Sequence, residues 1–223
     1  MTRRAAELDP SQTLTEKAYT HLEELIVTLQ LAPGSAVSEA MLSGRLGIGR
    51  TPIREALQKL AREGLVVILP RRGIIVSEIN VKTQLRLLET RREVERLVAR
   101  SAARRASEAE RRRMSLLAER FERSARAGDD TAFMRIDREF NELCLTAARN
   151  EFAAGAMRLM QSLSRRFWYL HYKRAADLPE TAKLHAEIAR AIAAGDDPGA
   201  AAAADSLLDM VESFTRATVS TDF

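Results

Sequence analysis

Along residues 14–30 the apolar positions Ala18, Leu22, Leu25, Ile26 and Leu29 recur at three- and four-residue intervals. That is the period of a helix with one buried face. "LAPGS" at 31–35 ends it with a Pro-Gly turn. A shorter helix is predicted from Ser38 through Leu46, with Met41, Leu42 and Leu46 inward. "GIG" at 47–49 reads as a tight turn, and Thr51-Pro52 opens a third helix, proline being suited to a first helical turn. Ile53, Leu57 and Leu60 form its buried stripe, and it stops at Gly64. Two β-branched runs, 65–69 and 74–79, then flank a Pro-Arg-Arg-Gly turn, which is a hairpin signal. Three short helices and a hairpin predict a winged helix-turn-helix over 13–79, preceded by a flexible tail at 1–12.

From Val81 onward the pattern contains no further strand. Helices are predicted over about 81–105, 107–127, 130–148, 151–175, 180–194 and 198–218. Ser107 with Glu110 forms a capping box, and "AGDD" at 127–130 and again at 194–197, before Pro198, marks breaks. The short connections favour antiparallel neighbours. The fold class is therefore mostly α: a winged helix-turn-helix with a small β-hairpin wing, then an all-α antiparallel bundle over 80–223.

Composition narrows the function classes. No apolar run approaches the roughly 18 residues of a membrane span, and the N-terminus has no apolar core of a secretory signal. A cytoplasmic protein without a membrane partner is expected. The single cysteine, Cys144, has no second cysteine for a disulfide or a thiolate zinc site. The net charge of +4 permits nucleic-acid binding, but residues 1–80 hold ten Lys and Arg against nine Asp and Glu. Much of the excess lies between Arg91 and Arg126, so an argument for DNA rests on placement and not on the sum.

Placement singles out Arg50, Thr51 and Arg54, at the front of the third helix. In a helix-turn-helix the second helix enters the major groove and its N-terminal residues reach base edges. An arginine there can donate a bidentate pair to guanine. Arg45, on the preceding helix, joins this set, and Arg71 and Arg72 at the hairpin tip could reach the minor groove or phosphates. The competing reading makes Arg50, Arg54 and Arg62 a solvated face paired with Glu55 and Glu63.

In the helical half, "FMRIDREFNELCLTAARN" has apolar positions at Phe133, Ile136, Phe140 and Cys144. Asp137 and Asn141 lie along that stripe and should face inward. His185 in "KLHAEIARAI" aligns with Ile188 and Ile192. A buried carboxylate needs a partner, so two inward polar helices suggest a shared polar cavity, a normal place for a ligand or metal. The alternatives are an Asp137 paired with a buried arginine and a His185 hydrogen-bonded in the core. Arg165, Arg166, Trp168, Tyr169 and His171 lie on a helix that could wall the same cavity or simply pack there. No Ser/His/Asp group, phosphate loop or HExxH motif occurs, so an enzyme is not expected; the alternative is a metal-dependent helical enzyme fused to a DNA-binding domain.

"VSEAMLSGRLGIGRTPIREALQKLAREGLVVILPRRGIIV" resembles the DNA-binding domain of the GntR family of bacterial transcription regulators. The helical half resembles the FCD ligand-binding domain of its FadR-like branch. The resemblance implies DNA contacts from Arg50, Thr51 and Arg54, with Gly73 of the wing approaching the minor groove. Gly49 stands where the family commonly has Ser or Thr, which removes a hydroxyl contact.

It also implies a ligand-responsive regulator, a repressor, that works as a homodimer on a short palindromic operator and answers to a small acidic effector. Arg91 and Glu95 match the Arg and Glu of the branch's first C-terminal helix, Arg91 being the candidate to receive the acid. The implied effector-binding set is Arg91, Glu95, Asp137, Asn141, Arg165, Trp168 and His185. Many FCD domains hold a divalent metal through an Asp and three histidines. Here Asp137 and His185 match, while Asn141 and Met210 replace the other two, which implies at most a weakly bound Zn, Ni or Mn.

Overall fold

The computed structural model describes residues 12–71, 73–175 and 178–219. They form two compact units that divide between Ile79 and Asn80. The expected tail at 1–12 lies, but for its last residue, outside the described residues, as does Arg72.

In the first unit, α1 (Leu14–Val27) starts at a capping box. Thr13 accepts from the Glu16 backbone, and the Glu16 carboxylate accepts from the Thr13 backbone. Helix α2 (Glu39–Leu46) is capped by the Ser38 side chain and ends at Gly47, whose φ of 66° is the left-handed turn glycine tolerates. Helix α3 (Arg50–Arg62) follows after three residues. Leu22, Ile26, Leu42, Ile53, Leu57 and Leu60 of the three helices are almost wholly buried, so the core follows the periodic stripe, except that Met41, expected inward, is exposed.

The predicted hairpin forms as β2 (Val66–Leu69) and β3 (Gly73–Val76), antiparallel with Val66 opposite Val76 and Leu69 opposite Gly73. The sheet has a third strand that the pattern does not announce. Strand β1 (Ala36–Val37) pairs with the other edge of β3, giving the order β1-β3-β2. Two residues are too few for an alternation, and β1 is a strand only because β3 offers it an edge.

The second unit contains α4 (Val81–Arg105), α5 (Glu108–Arg126), α6 (Asp130–Ala148), α7 (Glu151–Arg158), α8 (Gln161–Ala175), α9 (Leu178–Ala194) and α10 (Asp197–Val219). Its described residues form no strand. The single helix expected over 151–175 is two. At Leu159 and Met160 the backbone N–H groups bond three residues back, to Ala156 and Met157, and the α-helical bonding is interrupted. The apolar spacing runs through the break and no proline or glycine marks it, so periodicity does not reveal it.

Several arginines behind the charge excess serve the bundle itself. Arg111 donates to the carbonyls of Ala103, Ile192 and Ala193, and Arg105 to that of Ala148. These carbonyls lie at or near helix C-termini, where the chain supplies no further N–H and the dipole favours a cation. Arg96 meets Asp205 across α4 and α10 at 2.9 Å.

Candidate functional site

In the first unit, Arg50, Thr51 and Arg54 stand exposed on the first turns of α3, and Arg45 near the end of α2 is exposed as well. Arg54 is already engaged. Its Nε and Nη2 each donate to one carboxylate oxygen of Glu39, at 2.7 Å. These hydrogen bonds, against a weak opposing effect of burial, hold the Glu39 carboxyl below its usual range. The expected partners of a solvated face are used elsewhere: Glu55 accepts from Thr15 and Glu63 from Tyr19. The acid that faces Arg54 therefore belongs to the neighbouring helix α2. At the wing, Arg71 is exposed in a left-handed turn with φ 62°, and Gly73 opens β3 at φ 101°. The latter is a backbone setting that favours glycine.

In the second unit, a cavity of about 550 Å³, its open mouth included, brings together Arg91 and Glu95 of α4, Asp137 and Asn141 of α6, Arg165 of α8 and His185 of α9. Asp137 is the centre of this group. Its Oδ2 stands 2.7 Å from Arg165 Nε, and its Oδ1 accepts from Asn141 at 3.0 Å and faces His185 Nε2 at 3.2 Å. Burial pushes the Asp137 carboxyl up, but the His185 contact and the Arg165 charge outweigh it and hold the acid below its usual range. Both alternatives weighed from the pattern are thus present together: a carboxylate paired with a buried arginine and a histidine bonded in the core.

His185 is fixed on all sides. Its Nδ1 lies 2.8 Å from the Thr181 carbonyl, which can only accept, so that nitrogen carries a proton. Phe121, Phe133 and Phe140 surround the ring with centroids 5.0 to 5.9 Å away. On α4, Arg91 Nε donates to Glu95 Oε1 at 2.6 Å, its Nη2 contacts the same oxygen, and its Nη1 contacts the Ser164 hydroxyl.

Two expected positions fall elsewhere. Trp168 does not line the cavity; it is buried with its ring 5.0 Å from that of Phe133. Met210 is half-buried on α10, whose cavity residues are Ala204 and Leu207. Arg166, Tyr169 and His171 also lie outside the lining, and Arg165 alone of that cluster reaches it. Among the cavity residues missed as such are Gln161 and Cys144, the latter kept as the thiol by burial, which pushes its pKa up. The signal for Cys144 was available, since it lies two turns beyond Asp137 on the same stripe.

The donors do not fit a tightly held divalent ion. The 3.2 Å between Asp137 and His185 would suit two ligands of one metal. Yet Arg165 already neutralises the carboxylate, and among the described residues no three His, Cys, Asp or Glu groups gather to hold an ion. A guanidinium stands where a cation would be useful.

Comparison with known proteins agrees with both halves. Residues 14–76 match the bacterial regulatory proteins of the gntR family, and residues 86–210, more than half of the chain, match the FCD domain. The HTH-type transcriptional repressor RspR of Escherichia coli is 28% identical over 83% of this chain and 82% of its own length. An HTH-type transcriptional regulator in an unstable DNA locus of Streptomyces ambofaciens is 47% identical over 62 residues, 28% of this chain and 26% of that one. The solved structure of E. coli McbR/YncC superposes with a TM-score of 0.80 at 18% identity, over 93% of this chain and 99% of that one, which speaks to the fold. The chain therefore belongs to the GntR family of bacterial regulators and carries an FCD domain as its second half.

Proposed function

We propose that this regulator is a cytoplasmic, homodimeric repressor of a short palindromic operator, released by a small carboxylate-bearing effector taken up in the helical cavity. The observation that carries the effector is Arg91. It lines the cavity with a side chain only 12% exposed, held at one end by Glu95 and at the other by Ser164. A planar guanidinium offers a carboxylate two parallel donors. DNA contact is assigned to Arg45, Arg50, Thr51, Arg54, Arg71, Arg72 and Gly73, and the dimer follows because a two-fold operator matches a two-fold protein. Divalent Zn, Ni or Mn binds the Asp137–His185 pair only weakly. The catalytic reading has less support, since Cys144, the nucleophilic group at the cavity, is held as the thiol. No helix among the described residues is long and apolar enough to cross a membrane.

The effector binds one arrangement of the helical domains more tightly and so changes the spacing of the paired DNA-binding heads. A thermal-shift screen of small organic acids and acyl-CoA thioesters, with and without divalent metals, identifies it, because a ligand of the folded state raises the melting temperature. Arg91→Ala should leave operator affinity unchanged and weaken the effector by about 2–5 kcal/mol, the cost of removing one partner of a buried charge pair. Gel-shift titrations of wild type and variant with that effector test this. An equal response from both would remove Arg91 from the pocket.

A further inference from the structure

The cavity balances its own charges before any ligand arrives. Arg165 is paired with Asp137, and Arg91 with Glu95 one helical turn away on α4. A ligand bearing only a carboxylate would reach Arg91 by displacing Glu95. It would then leave that acid, 14% exposed, beside the incoming one and without its cation. Two like charges in a poorly solvated site raise the free energy of the complex.

We propose that the effector is a zwitterion that carries its carboxylate and its ammonium on neighbouring atoms, as an α-amino acid does. This rests on the reading that the effector binds in this cavity with its acid on Arg91. The exchange is then neutral: the ligand carboxylate replaces Glu95 on the Arg91 fork, and the ligand ammonium replaces Arg91 on Glu95. No charge loses its partner. Glu95 is prepared for the second role. Both contacts from Arg91 fall on Oε1, so Oε2 accepts no hydrogen bond from the described residues while the side chain lines the cavity. Asp137 is not the receiver, because its charge is already paired with Arg165 and its Oδ1 already meets Asn141 and His185.

Spacing and lining agree with this choice. Residues four apart on a helix are neighbours on one face, with about 5–6 Å between their Cβ atoms. Two receptors so placed match two charged groups on one carbon better than groups at opposite ends of a longer chain. Beyond them and the Asp137 group, the wall is largely apolar, with Val98, Leu145, Met157, Ile188 and Leu207, and Gln161 as its polar member. An uncharged, apolar amino-acid side chain fits there.

The test uses the full-length protein and matched probes. The twenty common α-amino acids, each at 5 mM by way of a generous excess, are compared by thermal shift with the carboxylic acids lacking the amine and with the methyl esters lacking the free carboxylate; titration calorimetry then ranks the members that bind. The expected result is an α-amino acid bound at least tenfold more tightly than either of its truncated forms. Glu95→Gln, which keeps the shape but cannot neutralise an ammonium, should lose that preference and bind the des-amino acid at least as well as the amino acid. Its DNA affinity and melting temperature report whether it is folded. A des-amino acid that binds wild type as tightly as its amino counterpart overturns the proposal, as does the absence of any shift with all twenty. A plain acid that releases DNA and binds at least as tightly as any amino acid would leave the effector reading standing and reject only the zwitterion. Should Glu95→Gln not fold, the wild-type comparison of amino acid with des-amino acid decides alone.

Discussion

Arg165 places its Nε 2.7 Å from Oδ2 of Asp137, each side chain about one-tenth exposed, and so joins α8 to α6 through a buried ion pair. Removing one member strands the other. Asp137→Ala should destabilise the helical domain by about 3–5 kcal/mol, while replacing both partners with apolar residues, Asp137→Leu with Arg165→Met, should recover much of that loss. Denaturant unfolding of the two variants measures it. A single variant as stable as wild type would show that the pair contributes nothing.

The same pair governs metal affinity. Zn²⁺ at Asp137 must displace Arg165 and also finds His185 Nε2 turned onto the carboxylate. Calorimetric titration of metal-free protein with Zn²⁺, Ni²⁺ and Mn²⁺ should give dissociation constants no tighter than micromolar. A nanomolar site that survives His185→Ala would place the ligands elsewhere.

On the DNA-reading face, Arg54→Ala should weaken operator binding by about 1–3 kcal/mol and relax the preference at one guanine. Glu39→Ala should have a milder version of the same loss of preference, because the fork it orients becomes free to turn. Binding selections from random DNA with each variant provide the comparison. Unchanged preference in Arg54→Ala would remove α3 as the reading helix.

Acid stability offers a separate check. The Glu110 carboxyl, held by Arg149 and, more weakly, by the Ser107 cap against the opposing effect of burial, lies at about 2, well under its ordinary 4.5. A depressed carboxylate stabilises the fold above its unfolded pKa, and the contribution is lost as pH falls toward the folded value. Wild type should therefore melt above Glu110→Gln at pH 7, with the gap intact down to about 4.5 and closing between there and about 2. A gap independent of pH would assign the difference to packing instead.

The sequence by itself determined the element types. Period-3.6 stripes made the helices, and β-branched runs around Pro-Arg-Arg-Gly made the hairpin, because both depend on neighbours a few residues away. It also told which faces of α6 and α9 turn inward, so that Asp137 and His185 are buried as their stripes require. Tertiary structure decided what no local pattern encodes. Strand β1 exists because β3 has a free edge, and the chain breaks at Leu159 and Met160 although the apolar spacing continues. The partners of charges were open for the same reason. Arg54 answers Glu39 across two helices, and Asp137 answers Arg165 while Trp168, on the same helix, goes to Phe133 instead of the cavity. Periodicity tells that a side chain is buried; only the packing of distant helices tells which group it meets, because a long arginine can reach several acids and the bundle geometry selects one.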